Sequence, residues 1–352
     1  MYLLAKSDVP RFLSALSARF EMYGPQVHPV SGDVFFDKAA DSSSIRLDAP
    51  IPANSPKFAV FPHWERILSY AYDRETKDLR IVPEDLVRPK ALVGIRSCDL
   101  TGLLCFDRFF LGQEFVDEFY RAHRRRMFLV SVTCVSPFAQ CFCVCTDSGP
   151  AAREGYDVNL TDLGEAYLFE AGSDAGRELA ASMSLPPAGP DAGRRRDEVI
   201  DRSISRFEAA AVENKAWISR AVNRLTTGFV KNETWEYIGQ QCFECGACSF
   251  VCPSCSCFNI EDVNRRDGTT ERLRTWDSCS FEGYARMAGE HNPRRPVEDR
   301  RNKRFFCKLS FSQSKKYLRP GCVGCGRCVR VCPGDIGMAN VVTAIRREIT
   351  GK

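Results

Sequence analysis

A cysteine pattern that occurs twice limits what this chain can fold into more than any other feature. Four cysteines with the spacing C-x2-C-x2-C-x3-C, followed by proline, begin at Cys242, and the same pattern begins again at Cys322. In such a run the first three thiolates surround one [4Fe-4S] cubane, and the fourth reaches the cubane of the other run. The duplication therefore predicts two [4Fe-4S] clusters that exchange their fourth ligands, as in bacterial ferredoxins.

Each predicted cluster takes ligands from both repeats. The first set is Cys242, Cys245, Cys248 and Cys332, and the second set is Cys322, Cys325, Cys328 and Cys252. Gly246 and Gly326 lie where the chain must turn tightly around a cluster and present backbone N–H groups to sulfur. Pro253 and Pro333 follow the fourth cysteine of each repeat and hold it rigidly. These two glycines and two prolines are the predicted surroundings of the clusters.

Two zinc sites are the main alternative to two clusters. Zinc takes four ligands in a tetrahedron, usually from two separated C-x2-C pairs. Zinc would leave the third cysteine of each repeat and the proline after the fourth without a role, so the pattern favours iron–sulfur clusters.

A β-α-β unit is predicted before the repeats. Residues 91–95 and 127–130 have the apolar pattern of buried strands, and Asp99 is placed to cap a helix between them. A parallel crossover brings the ends of both strands to one edge of the sheet. Cys98 and Cys134, each just beyond a strand, are therefore expected to face one crevice.

The crevice is a candidate third metal centre. Cys141 and Cys143 point to the same side if their loop is extended, and with Cys98 and Cys134 they make four thiolates. The alternative is that these are buried free cysteines, which behave as small apolar residues. The same geometry leaves Cys145 open as a ligand.

The remaining cysteines of the 18 in the chain lie outside these sets. They are Cys105, Cys255, Cys257, Cys279 and Cys307. Cys105 falls in the predicted helix and is expected in the core, whereas Cys255, Cys257 and Cys279 are candidates for another site. A disulfide framework is not expected, because the start of the chain lacks signal-peptide features and the cytoplasm keeps thiols reduced.

The chain is predicted to be α+β with three parts. Residues 1–171 form a mixed α/β domain with the possible third cluster, 172–238 form a linker and bracing helices, and 239–352 form the ferredoxin-like dicluster domain with a long insertion. Residues 172–196, rich in glycine, alanine, proline and serine, have the composition of an exposed connection.

Composition excludes several other functions. No apolar run is long enough to span a membrane, and no G-x-G-x-x-G or Walker-type loop indicates a bound nucleotide or flavin. Basic runs occur at 124–126, 194–196 and 300–304, and a net charge of +4 gives weak support to nucleic-acid binding. Most such runs are solvated faces, and the functional alternative is that they offset the negative charge of thiolate-ligated clusters or dock an acidic partner. A redox sensor would have no use for a duplicated relay motif. No acid-base or nucleophile constellation is present, so we expect a cytoplasmic, non-catalytic protein.

Several stretches of the chain resemble, in order, the family that unites sulfhydrogenase beta subunits with the related iron–sulfur subunits of anaerobic sulfite reductase. They are residues 94–99, 134, 141–143, 149–150, 155–157, 252–258, 276–279 and 321–328. The resemblance implies three [4Fe-4S] clusters, the third ligated by Cys98, Cys134, Cys141 and Cys143. At Cys145 the family usually has serine or a similar residue.

The resemblance also implies partners. It indicates a relay subunit between a flavin subunit that meets NAD(P)H or ferredoxin and a catalytic subunit, which is either a [NiFe] hydrogenase or a siroheme sulfite reductase. The stretch from Gly149 to Asp162 favours the hydrogenase. Residues 254–321, with their arginine-rich run, are the predicted docking surface for a partner.

Overall fold

The computed structural model describes residues 1–73, 75–83, 87–209 and 218–348. The strands in these ranges form two sheets. They are β1 (Tyr2–Ala5), β2 (Glu21–Val27), β3 (Val34–Lys38), β4 (Trp64–Tyr72), β5 (Leu79–Pro83), β6 (Lys90–Arg96), β7 (Met127–Val132), β8 (Val158–Asp162), β9 (Ala166–Ala171), β10 (Phe258–Asn264) and β11 (Thr269–Trp276).

The α-helices in the same ranges fall mainly in the second half of the chain. They are α1 (Val9–Ser17), α2 (Ser97–Phe110), α3 (Glu118–Arg125), α4 (Asp174–Ser182), α5 (Ala192–Ala209), α6 (Ser219–Thr227), α7 (Asn232–Gln240), α8 (Ala247–Phe250), α9 (Val297–Leu309), α10 (Phe311–Tyr317), α11 (Arg327–Arg330) and α12 (Met338–Arg347). Within the described ranges no helix is both long and apolar enough to span a membrane.

The first sheet has the strand order β1-β9-β8-β7-β6-β2-β3. Its central strands β2, β6, β7 and β8 are parallel, and antiparallel strands flank them on both sides. The predicted β-α-β unit is confirmed as β6-α2-β7. An aliphatic core lies against α1 and α4, and an aromatic core that includes Phe106 and Phe110 lies under α2.

The second sheet, β10-β11-β4-β5, is antiparallel throughout and takes two strands from each half of the chain. A buried ion pair joins the halves, because the Arg274 guanidinium on β11 contacts the Glu65 carboxylate on β4. The α+β prediction is confirmed: a mixed N-terminal sheet is followed by helices and by a cysteine-rich C-terminal region with antiparallel strands.

Asp99 does not cap α2, contrary to the sequence prediction. The helix begins at Ser97 after Arg96, whose side chain makes no capping hydrogen bond. Asp99 lies in the first turn and makes two hydrogen bonds with the guanidinium of Arg327, at 2.5 and 2.8 Å. Both side chains are almost fully buried, at 1% and 0% exposure. The Asp99 carboxylate therefore joins the first turn of α2 to Arg327 on α11 instead of capping its own helix.

The expectation that residues 172–196 form an exposed connection is wrong. Helix α4 lies inside this stretch, and Leu179 and Ala180 pack in the aliphatic core beneath the sheet. Glycine and alanine dominate the composition, yet the buried positions have helical spacing and a serine begins the helix. The composition of this stretch therefore did not reveal that it contains a short amphipathic helix.

Ser173→Ala is expected to destabilise the protein by about 1 kcal/mol. The Ser173 hydroxyl oxygen accepts the Gly176 N–H at 3.1 Å and its hydrogen is donated to Asp157 at 2.6 Å, so the helix start and a loop both lose a partner. Guanidinium unfolding under anaerobic conditions measures the effect. Ser17→Ala, which removes an exposed bond near the end of α1, is the matched control. Equal midpoints for the two variants would contradict the prediction.

Candidate metal centres

The two cysteine repeats have the same backbone conformation. In each repeat a glycine with positive φ, Gly246 at 73° and Gly326 at 74°, precedes a four-residue helix, α8 or α11. The predicted tight turns are confirmed at both glycines. A Cβ on Gly246 would lie 2.6 Å from the Phe281 ring, so this turn also needs the absence of a side chain for space.

Backbone N–H groups point at sulfur in both repeats, but the glycines of the turns do not supply them. The Glu244 N–H donates to Cys242 Sγ at 3.4 Å, and the Gly324 N–H donates to Cys322 Sγ at the same distance. Both donors also have positive φ. A third donor, the N–H of Met338, lies 3.3 Å from Cys328 Sγ. Such bonds stabilise thiolate charge.

The second predicted ligand set lies around one cavity. Its walls include Cys322, Cys325 and Cys328 of the second repeat together with Cys252 of the first repeat. Cys252 of the first repeat therefore lies among the cysteines of the second repeat, as the predicted exchange of the fourth ligand requires. Pro253, which follows Cys252, is buried, whereas Pro333 is exposed.

The first predicted set lies nearer the surface. Cys245 is exposed, while Cys242, Cys248 and Cys332 are partly buried. Helices α8 and α11 pack against each other, and Gly334 is so close to the chain just before Cys242 that a Cβ would lie 1.8 Å from the Gln241 carbonyl oxygen. The segments that carry Cys242 and Cys332 therefore run side by side.

Within the described ranges, no group of three or more histidine, cysteine, aspartate or glutamate side chains is arranged to hold a single metal ion. A cubane differs from a single ion in that its four thiolates bind separate iron atoms and need not converge on one point. The zinc alternative requires convergence on one ion.

Buried cations surround the repeats. Arg301, Arg304 and Lys308 on α9, together with Lys57, are each at most 5% exposed. Among the described residues none of the four has a carboxylate partner; they contact serine oxygens, backbone carbonyls and cysteine sulfur, and the Nε of Arg301 has no partner. Buried charge is costly unless it is paired. An anionic thiolate-bound cluster fits this excess of positive charge.

The arginine-rich run is therefore not a docking surface, contrary to the sequence expectation. Arg300, Arg301 and Arg304 are 2–4% exposed because they occupy the inward face of α9. Members of the other two basic runs are paired with carboxylates, as in Arg124 with Asp107. The runs thus do not form one basic face, and nucleic-acid binding loses the observation that motivated it.

The N-terminal cysteines also come together. Cys98, Cys134, Cys141 and Cys143 are buried in one cluster that also contains Cys325 of the second repeat. The loop is not extended as predicted, because Cys143 begins a 3-10 turn over Cys143–Thr146. Cys145 instead packs against the helical core of the C-terminal region.

The loop of Cys141 and Cys143 lies directly on the second repeat. The Phe142 N–H donates to the Gly324 carbonyl at 2.8 Å, and the Cys141 thiol donates to the Cys325 carbonyl at 3.5 Å. A Cβ on Gly324 would be 2.5 Å from the Cys143 nitrogen. Glycine at 324 therefore permits the N-terminal group and the second set to touch.

Burial raises the pKa of all four N-terminal thiols, to about 12 for Cys141. Without a metal these thiols are neutral at pH 7, and binding a metal must release their protons. Cys248 in the first repeat behaves differently. Burial alone would raise the pKa of its thiol, but the nearby guanidinium groups of Arg304 and Arg301 bring it below its ordinary value.

Comparison with known proteins agrees with the cysteine pattern. Residues 241–336 match the family described as 4Fe-4S dicluster domain. Along its whole length the chain is similar to sulfhydrogenase 2 subunit beta of Pyrococcus furiosus, with 29% identity over 348 residues that cover 97% of this chain and 96% of the relative. No solved structure matches.

The C-terminal region is therefore a 4Fe-4S dicluster domain, which implies two [4Fe-4S] clusters. The chain is a homologue of a sulfhydrogenase beta subunit, and it is an iron–sulfur electron-transfer subunit.

Proposed function

We propose that this homologue of the sulfhydrogenase beta subunit relays electrons in a cytoplasmic [NiFe] hydrogenase. Its partners would be a flavin subunit that meets NAD(P)H or ferredoxin and the catalytic subunit. The observation that carries the proposal is the likeness to a sulfhydrogenase subunit over 97% of the chain. A bound [4Fe-4S] cluster supplies one-electron transfer, and the chain contributes ligands, hydrogen bonds to sulfur and burial, which set the potential.

The proposed ligands of the dicluster domain are the two exchanged sets. Cys252 beside Cys322, Cys325 and Cys328 in one cavity supports the second set. The adjacent segments of Cys242 and Cys332 support the first. Arg301, Arg304 and Lys308 on α9 are buried and have no carboxylate partner among the described residues, which suggests that they would balance the negative charge of the thiolates.

A third [4Fe-4S] cluster is proposed at Cys98, Cys134, Cys141 and Cys143. Four buried thiols in one cluster, reached from a strand end, a helix start and a loop, support it. Because their loop hydrogen-bonds to the second repeat, the three centres would stand in a row with the second set in the middle.

The first set would be the end of the row that meets a partner. Cys245 is exposed there, and the neighbouring Phe243 is 70% exposed. An exposed aromatic side chain next to a ligand provides apolar contact area of the kind that protein interfaces use. At the other end Cys98 and Cys143 are buried at 4–5% exposure, so a partner would approach that centre through more protein.

Anaerobic purification from the native host tests the function. We expect a nickel-bearing large subunit and a flavin-bearing subunit to travel with this chain. A siroheme subunit in their place would replace the hydrogenase by the sulfite reductase. Purification of the chain alone, with its clusters intact, would contradict the relay role in a multi-subunit complex.

Cys134→Ser combined with Cys141→Ser is expected to lower the iron content by about four atoms per chain. Both side chains lie in the N-terminal group, and neither belongs to the dicluster ligand sets. Iron and acid-labile sulfide are measured on anaerobically purified protein. Cys145→Ser is the control, because its side chain packs away from the group. An unchanged iron content in the double variant would exclude the third cluster.

A further inference from the structure

Cysteines outside the three proposed ligand sets line a separate cavity of about 310 Å³. Cys255 and Cys257 come from the segment after the first repeat, Cys279 follows β11, and Cys307 lies on α9. The thiols of Cys257 and Cys279 lie close together. Three chain segments therefore present thiols to a space that is large enough for a bound group.

The charge around the cavity indicates what kind of occupant it is. Arg294, Lys303, Arg304 and Lys308 all contribute to the walls, and no aspartate or glutamate is among the lining residues. Arg304 donates to Cys255 Sγ at 3.7 Å. Arg304 and Lys308 are 4% and 5% exposed and lack carboxylate partners within the described ranges. The site is thus built for an anionic, thiolate-ligated group.

The fifth cysteine of the cavity, Cys105, belongs to its apolar wall. It is presented by α2 beside Phe106 and Phe109. Cys307 is presented by α9 beside Arg304 and Lys308, on the basic side of the cavity. Cys307 is exposed, so the cavity reaches the surface at that point. Of the five cysteines that line the cavity, Cys105 is therefore a core thiol and the other four are candidate ligands.

The cavity also adjoins the second ligand set. Arg304 and Lys308 line both cavities, and the thiols of Cys252 and Cys255 are close neighbours across the boundary. Cys252 lines the cavity of the second set, and Cys255 lines the other one. A group bound in the cavity of Cys255 would stand next to the cluster of the second set.

We propose that Cys255, Cys257, Cys279 and Cys307 ligate a further [4Fe-4S] cluster in this cavity, in addition to the two of the dicluster domain and the one proposed at the N-terminal cysteines. This cluster would lie beside the cluster of the second set, outside the row of three proposed centres. Its cavity opens to solvent at Cys307. It does not depend on which catalytic subunit the chain serves.

The test uses the full chain, purified anaerobically. Cys257→Ser combined with Cys279→Ser should lower the iron content by about four atoms per chain, whereas Cys105→Ser, in the apolar wall of the same cavity, should leave it unchanged. Cys307→Ser alone should alter the iron or spectroscopic signature of one cluster. An unchanged iron content in the double variant overturns the proposal. This result is separate from the N-terminal variants and from co-purification, so each proposal fails on its own measurement.

Crystals of the unaltered protein provide a second readout that does not rely on folding of a variant. Anomalous difference maps at the iron edge should show a peak among the four sulfur atoms. A peak at the zinc edge without one at the iron edge would replace the cluster by zinc, and the absence of both would leave the thiols as core residues. Either result overturns the proposal.

Discussion

Asp99→Asn is expected to lower the free energy of unfolding by about 3–5 kcal/mol, because it leaves a buried guanidinium without its carboxylate. Arg327 has 0% exposure, and its Nε donates to the Pro52 carbonyl at 2.8 Å. The pair ties α2, which carries Cys98, to α11, which carries Cys328. Both the N-terminal group and the second repeat should therefore loosen together. A fall in Tm of at least about 5 °C measures it.

The controls separate burial from charge. Asp48→Asn removes the carboxylate of a pair with Arg46 at 3.1 Å, whose side chains are more than half exposed, and should change stability by less than about 1 kcal/mol. Asp99→Leu with Arg327→Met should recover much of the loss, because neither charge is then left unpaired. Equal effects for Asp99→Asn and Asp48→Asn would show that the buried pair does not stabilise the fold.

The cysteine repeats could be predicted from the sequence because their signal is local. Twelve consecutive residues determine the turn, the glycine with positive φ and the short helix, and Gly246 and Gly326 confirm this. Cys98 and Cys134 could be placed at one sheet edge because parallel strands are predictable from apolar runs. The loop conformation at Cys143 could not be predicted, because its contact with the second repeat determines it.

The sequence alone left the role of the basic run open between charge balance at the clusters, docking of a partner and a solvated face, because charge is usually a sign of the surface. On α9, Arg300, Arg301, Arg304 and Lys308 recur at helical spacing together with buried Phe305, in positions where an ordinary helix would carry apolar residues. That spacing was the available signal. It becomes interpretable only when the cysteines that α9 faces are known, and those cysteines are far from it in the sequence.

The cavity with Cys255, Cys257, Cys279 and Cys307 illustrates the same limit. Three chain segments and a hairpin between them bring these thiols together, and no fixed spacing encodes that. The hairpin of β10 and β11 also joins β4, so the N-terminal half takes part in positioning Cys257 and Cys279, which flank it. A ligand set drawn from distant chain segments can therefore be recognised only once the fold is known.

Replacing Cys252 and Cys325 together with serine is expected to remove one [4Fe-4S] cluster. Replacing Cys252 and Cys245 together with serine is expected to remove two. The reason is that Cys252 lies with the cysteines of the second repeat, although it belongs to the first repeat in sequence. If each repeat instead ligated its own cluster, the outcomes would be reversed. Mössbauer spectra count the intact [4Fe-4S] clusters, and total iron should fall by about four and about eight atoms, respectively.

The reciprocal pairs make this comparison independent of any single variant. Replacing Cys332 and Cys242 with serine should remove one cluster, because both are proposed for the first set. Replacing Cys332 and Cys322 with serine should remove two clusters, because Cys322 is proposed for the second set. Each pair changes two thiols to hydroxyls, so any general loss of stability is matched. One cluster lost by Cys252 with Cys245, and two by Cys252 with Cys325, would rule out the exchange. Two replacements at one cluster should remove no more iron than a single replacement there, whereas replacements at two clusters should add. The iron content of each double variant therefore shows whether its two cysteines ligate the same cluster.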